Sequence, residues 1–272
     1  MIDSDWLSSG AGMHWILKSK KKFLNACALG LLLIAPSAFA NDVCKDDEQL
    51  ERLLNRHKIT ANFNSDYISC KAMPDDSAQT LIAYADRVAD ISDEGIGEFN
   101  LSFLTVDSTT HKLIMLNRIK EPLFSDAISL NSIELDTAPF IAVPDIRLVG
   151  LRLNYSGHSQ PNPFSMTVLN LYDLKNKKTV LDSFVVTRYR AETDTRCNAD
   201  IEERKSILMM QKNKFQQYYD IQVHSNIDQY NFSGTSENCR ESKHKISQQK
   251  FMLKFDGKQY QIPAQFKDEY LY

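Results

Sequence analysis

From Phe99 to Phe255 apolar side chains keep returning at every second position. Phe99, Leu101 and Phe103 alternate with Asn100 and Ser102, and Val149, Leu151, Leu153 and Tyr155 alternate with Gly150, Arg152 and Asn154. The pattern recurs at Phe164, Met166 and Val168, where Leu169 and Leu171 then fill the other parity, at Tyr219, Ile221 and Val223, and at Phe251, Leu253 and Phe255. Successive side chains of a strand point to opposite faces, so this period of two predicts sheets with one apolar and one wet face. Close turns separate the runs. Asp256-Gly257 suits a type I′ hairpin, and Leu174 to Lys178 joins two alternating segments. The helical period shows at Asp46 to His57, where Leu50, Leu53 and Leu54 share a face and Asp46, Asp47 and Glu48 fill the first turn, favouring the positive end of the dipole. The chain is thus expected to be mainly β, an antiparallel sandwich or distorted barrel with one N-terminal helix. The polar stretch Thr193 to Lys205 is expected to be a long loop or short helix.

The first forty residues have the order of a secretory signal peptide. Lys18, Lys20, Lys21 and Lys22 precede an apolar core from Phe23 to Ile34, and Ser37 to Ala40 supply an Ala-x-Ala cleavage site. The core is too short to span a bilayer. Met13 is an alternative start, which would make residues 1–12 an over-extended reading. A lipobox at Leu24 to Cys27 is disfavoured because the apolar run continues to Ile34. Cleavage after Ala40 leaves residues 41–272 as a single exported domain, periplasmic or secreted, with no second apolar run long enough for a transmembrane helix. Removing the four leader lysines and the two aspartates Asp3 and Asp5 from 32 basic and 35 acidic residues gives a net charge of −5. That mild acidity argues against nucleic acid or an anionic membrane as partner. The C-terminal "FKDEYLY" ends on aromatics as membrane barrels do, but Lys267, Asp268 and Glu269 break the band that lipid would face.

Four cysteines remain after the leader: Cys44, Cys70, Cys197 and Cys239. An even count in an exported chain predicts disulfides, and four cysteines allow three connectivities. Cys44–Cys70 with Cys197–Cys239 is favoured, because each closes a local loop. Zinc is disfavoured by the absence of Cys-x-x-Cys spacing.

One motif invites an enzymatic reading. "GHSQPNP", Gly157 to Pro163, opens like a nucleophile elbow, Gly-x-Ser-x-Gly. The second glycine is replaced by Pro161, and Pro161 and Pro163 obstruct the helix that must follow the serine. The segment therefore reads as an inter-strand loop, with Gly157 expected at positive φ. No catalytic, cofactor-binding or metal-binding residue is assigned. The polar residues available for a surface site are Asp136, Arg152, His158, Ser159, Glu192 and Asp194. Tyr218, Tyr219 and Tyr230 fall close together, a grouping that serves core packing or recognition of glycans and proteins.

Several stretches together resemble an uncharacterised family of exported proteins from Gram-negative bacteria. They are "CKAMP" (Cys70 to Pro74), "SDAISL" (Ser125 to Leu130), "LDTAPF" (Leu135 to Phe140), "RLVGLR" (Arg147 to Arg152), "NPF" (Asn162 to Phe164), "LNLY" (Leu169 to Tyr172) and "ETDTRC" (Glu192 to Cys197). The family pattern reads Arg-Ala-Phe-Gly-x-Arg where this chain has Leu148 and Val149. The resemblance implies export and a β-rich fold, without an activity. The expected function is a non-enzymatic binding or accessory module of the cell envelope, with an envelope protein or glycan as partner and no cofactor. The alternatives are a hydrolase of an envelope polymer and an inhibitor or immunity protein against a foreign enzyme.

Overall fold

The structure, a computed structural model, describes residues 43–60, 63–88 and 97–267. The leader, Met13, Cys27 and Tyr270 lie outside the described residues.

The helix α1 (Asp47–Arg56) forms where the 3-and-4 spacing predicts it. Asp46 is its N-cap, accepting from the Gln49 N–H at 3.0 Å, and Leu50, Leu53 and Leu54 are its buried face. Among the described residues fifteen strands follow: β1 (Ile68–Met73), β2 (Asp76–Arg87), β3 (Gly97–Asp107), β4 (Leu113–Arg118), β5 (Leu123–Ser125), β6 (Ile128–Asp136), β7 (Ile141–Val143), β8 (Ile146–Arg147), β9 (Val149–Gly157), β10 (Phe164–Asp173), β11 (Lys178–Thr193), β12 (Ala199–Lys214), β13 (Tyr219–Thr235), β14 (Asn238–Phe255) and β15 (Tyr260–Gln261). All pairings are antiparallel. One sheet runs β1-β2-β3-β4, with β5 also pairing to β3. A second runs β15-β14-β13-β12-β11-β10-β9-β6, and β7-β8 is a separate hairpin. The sheets are open, so of the two expected architectures the chain adopts the sandwich.

Two sheets packed face to face bury an apolar layer between them. Leu81, Ala83, Ala85, Phe99, Leu101 and Phe103 of the first sheet meet Leu135, Leu151, Leu153, Val168 and Tyr172 of the second. Phe103 and Tyr172 touch across this layer with ring centroids 4.8 Å apart.

The expectation of one wet face per strand fails at β3 and β10. α1 lies on the outer side of the first sheet, where Leu50, Leu53 and Leu54 cover Ile82, Tyr84, Leu104 and Val106. Ser102, the polar partner in the β3 alternation, is therefore buried. Burial on both faces also explains the unbroken apolar run Leu81 to Ala85 of β2. In β10, Leu169 and Leu171 belong to a second core, with Phe184, Ile221, Val223, Leu253 and Phe255. Tyr218 is buried in that core and donates to Asp173 Oδ2 at 2.5 Å, so it serves packing.

Two turns depart from their predicted form. The β14–β15 connection has positive φ at Gly257 (+100°) but not at Asp256 or Lys258. It therefore needs a left-handed residue only at the first central position, as type II′ does, and Asp256 Oδ1 accepts from the Lys258 and Gln259 N–H groups. The stretch Thr193 to Lys205 is not a long loop or helix. β11 continues to Thr193, a tight turn occupies residues 194–198, and β12 starts at Ala199. Its low apolar content hides a strand held by backbone ladders on both sides.

The expected disulfides are present. Cys44 is bonded to Cys70, with Cα atoms 5.3 Å apart, and Cys197 to Cys239, at 5.5 Å. The first ties the entry to α1 onto β1, and the second clamps the β11–β12 turn to the start of β14.

Candidate functional site

The "GHSQPNP" segment forms one wall of a groove of about 1000 Å³. The chain leaves β9 at Gly157 and runs back along β11. Pro163 O accepts from the Ala191 N–H at 3.0 Å and Pro161 O from the Thr193 N–H at 2.8 Å. The segment thus extends β10, but neither proline has an N–H to return the bond, which is why β10 proper starts at Phe164. Gly157 corrects one expectation. It does not lie among the positive-φ glycines, because it is the last residue of β9 and pairs with Ile128 in extended geometry.

The opposite wall comes from three strands in register. Arg190 of β11 faces Glu202 of β12, which faces Gln229 of β13; one step further out, Glu192 faces Asp200, which faces Asn231. All six side chains line the groove, with Ile128 and Phe164 as apolar lining. Such directly opposed pairs interact most strongly across a ladder. In the first row Arg188 and Arg190 contact Glu202 at 2.7 and 3.3 Å, and Gln229 Nε2 donates to it at 2.9 Å. Burial would raise the Glu202 carboxyl, but the Arg188 and Gln229 hydrogen bonds and the two arginine charges outweigh it and hold the pKa at about 2. In the second row two carboxylates, Glu192 and Asp200, oppose each other, and Asn231 Nδ2 donates to Asp200.

A carboxyl held low contributes stability above its unfolded pKa of about 4.3, and this is lost as pH falls towards about 2. Glu202→Gln should therefore destabilise the protein at pH 6 and matter progressively less on acidification. Urea midpoints at pH 6 and pH 2.5 check this; an equal difference at both values would refute it.

Of the six surface candidates, His158, Ser159 and Glu192 meet at this groove. Ser159 Oγ accepts from the Asn162 N–H at 3.2 Å, shaping the turn, while the His158 ring bonds Ser129 Oγ at 3.1 Å. The serine and its neighbouring histidine thus hold different partners. Ser159→Ala should change stability by no more than about 0.5 kcal/mol. A fluorophosphonate probe should leave Ser159 unlabelled, and covalent labelling at that residue would reinstate the hydrolase.

The other three lie elsewhere or serve structure. Asp194 Oδ1 accepts from the N–H groups of Arg196, Cys197 and Asn198, and Oδ2 from the Asn198 amide. The Asn198 side chain and these backbone donors lower its pKa, and the carboxylate organises the turn that presents Cys197. Asp136 and Arg152 pair at 2.7 Å at the far end of β6, eight residues or ~26 Å of strand from Ile128. Arg190, Asp200, Glu202, Gln229 and Asn231 were not singled out from sequence. The available signal was charge at every second position, Arg188-Arg190-Glu192 and Asp200-Glu202-Arg204.

No family model, no curated protein and no solved structure matches this chain.

Proposed function

We propose that the protein is an exported binding module of the cell envelope, and that the groove between the "GHSQPNP" wall and β11–β13 holds its partner. The observation that carries this is the groove's construction: apolar side chains below, two cross-strand rows of polar groups beside them, and a proline-stiffened wall opposite. That is the usual make-up of a preformed recognition site, an apolar surface with a few placed polar groups. The second row carries excess negative charge, so the partner segment presents hydroxyl and amino groups there, as a glycan or a polar peptide of the envelope does.

Export is part of the same reading. The two disulfides fit an oxidising compartment, and no helix among the described residues is long and apolar enough to cross a membrane. The resemblance to exported β-rich proteins of Gram-negative bacteria agrees. Intact mass of the protein from envelope extracts should correspond to a start at Asn41, and a diacylglycerol adduct on Cys27 would overturn that processing.

The binding reading is tested by placing a photo-crosslinking residue at Gln229, exposed in the groove, and in a second variant at Glu48 on the exposed side of α1. Irradiation of intact cells should give a specific adduct from position 229 that is absent from position 48. The same products from both positions, or none from 229, would refute the assignment of the groove.

A further inference from the structure

The second sheet leaves one long edge open. β14 pairs with β13 along one side, but on its other side it pairs with β15 only at Lys254 and Phe255. Close to that point Phe266 stacks on Phe251, with ring centroids 3.7 Å apart, so this end of the strand is occupied. From Asn238 to Gln249 no backbone group takes a partner on the outer side among the described residues. These residues span ~40 Å of extended chain, about twice an ordinary strand. Every second one turns its N–H and C=O outward, which makes a template for a further strand.

Proteins close such an edge with a proline, with a covering segment or by keeping it short. This stretch of β14 has no proline and no cover among the described residues. Its one irregularity is the register shift at Ser242, and from Lys243 to Leu253 the ladder is regular. Cys239 is bonded to Cys197, so the start of the edge is tied to the β11–β12 turn. An edge held in place loses little freedom when a partner pairs with it.

Charge is the remaining device, and it sets what can pair. Arg240, Lys243 and Lys245 lie opposite Ser233, Asn231 and Gln229 and so share one face. All three are exposed, and none has a carboxylate within ion-pairing distance among the described residues. The stripe is cationic although residues 41–272 have a net charge of −5. On the opposite face His244 pairs with Asp228 at 2.6 Å, and beside it Ile246 is 65 % exposed. A second copy of this chain fits poorly here. Pairing two β14 edges brings the cations of one strand beside those of the other, and like charges across a ladder repel.

We propose that β14 accepts an added strand from another polypeptide: an extended acidic segment with carboxylates on the side of Arg240, Lys243 and Lys245 and an apolar side chain beside Ile246. Backbone hydrogen bonds to the open edge give affinity, and the alternation of side chains gives selectivity. The pairing needs no occupant in the groove, although Lys245 continues the Arg190–Glu202–Gln229 row and Lys243 the Glu192–Asp200–Asn231 row.

The test uses the protein purified with both disulfides intact and a short fluorescein-labelled peptide of alternating Glu and Val. Its anisotropy should rise saturably on titration. The same peptide with its backbone nitrogens methylated throughout keeps every charge but cannot pair, and it should not bind. Lys243→Glu/Lys245→Glu turns two attractive cross-strand pairs repulsive and should weaken binding about tenfold. Lys112→Glu/Lys120→Glu makes the same charge change at exposed positions flanking β4 and should leave affinity within about twofold. Amide exchange should slow within Asn238 to Gln249 when the peptide binds. The proposal is overturned by no saturable signal, by equal binding of the methylated peptide, by equal loss in the two lysine pairs, or by slowed exchange outside β14 alone. A dimer of the free protein that the peptide dissociates would assign the edge to a second copy and overturn it as well.

Discussion

Phe103→Ala is expected to lower the unfolding free energy by about 3–5 kcal/mol, the range for truncating a buried aromatic. Phe103 is fully buried, and its ring meets Tyr172 of the facing sheet at 4.8 Å with planes inclined by 56°. Truncation therefore opens a void in the layer that holds the two sheets together, and the packed interior closes such a void only in part. Each kcal/mol moves the melting temperature of a chain this size by roughly 2–4 °C, so a fall of about 6–20 °C should be measured by calorimetry. Phe215→Ala is the control. Phe215 is 60 % exposed, with Lys254 5.4 Å above its ring, and its loss should cost no more than about 1 kcal/mol. Equal effects of the two substitutions would mean that the sheets are not held by this layer.

Removing the Cys44–Cys70 bridge comes next in size. A loop of 26 residues corresponds to ~3.5 kcal/mol of lost restraint on the unfolded chain. Cys44→Ala/Cys70→Ala should show that loss as a lower urea midpoint. The structure adds a local consequence. The bridge fastens the entry of α1 to β1, and α1 is what covers Ile82, Tyr84, Leu104 and Val106. Hydrogen exchange should therefore accelerate first in α1 and on β2, ahead of β10–β13. Uniform acceleration throughout the chain would show that the bridge acts on the unfolded state alone.

These expectations depend on features of different legibility. α1 was readable because its signals are local: an acidic first turn and three leucines at helical spacing. The cysteine pairing was readable because each bridge closes a short loop. The groove was not. Arg190 meets Glu202, and Glu192 meets Asp200, only through the register of β11 on β12. β12 begins "ADIEER", with too few apolar side chains to display a period of two, so its strand character comes from the ladders on its two sides. The "GHSQPNP" segment was correctly read as a connection between strands, yet its placement along β11 rests on proline carbonyls accepting from Ala191 and Thr193.

By itself the amino-acid sequence determined the alternation that builds the strands, the helix, and the cysteines that close their loops. Those properties reside in near neighbours along the chain, where side-chain spacing and backbone geometry act directly. Tertiary structure alone decided which faces are wet, since α1 buries one side of the first sheet and a second core buries the outer side of β10. It also decided that Arg190, Glu202 and Gln229 share a row. Register and layer packing join residues far apart in the chain, and the same local pattern satisfies many such arrangements until the whole core selects one.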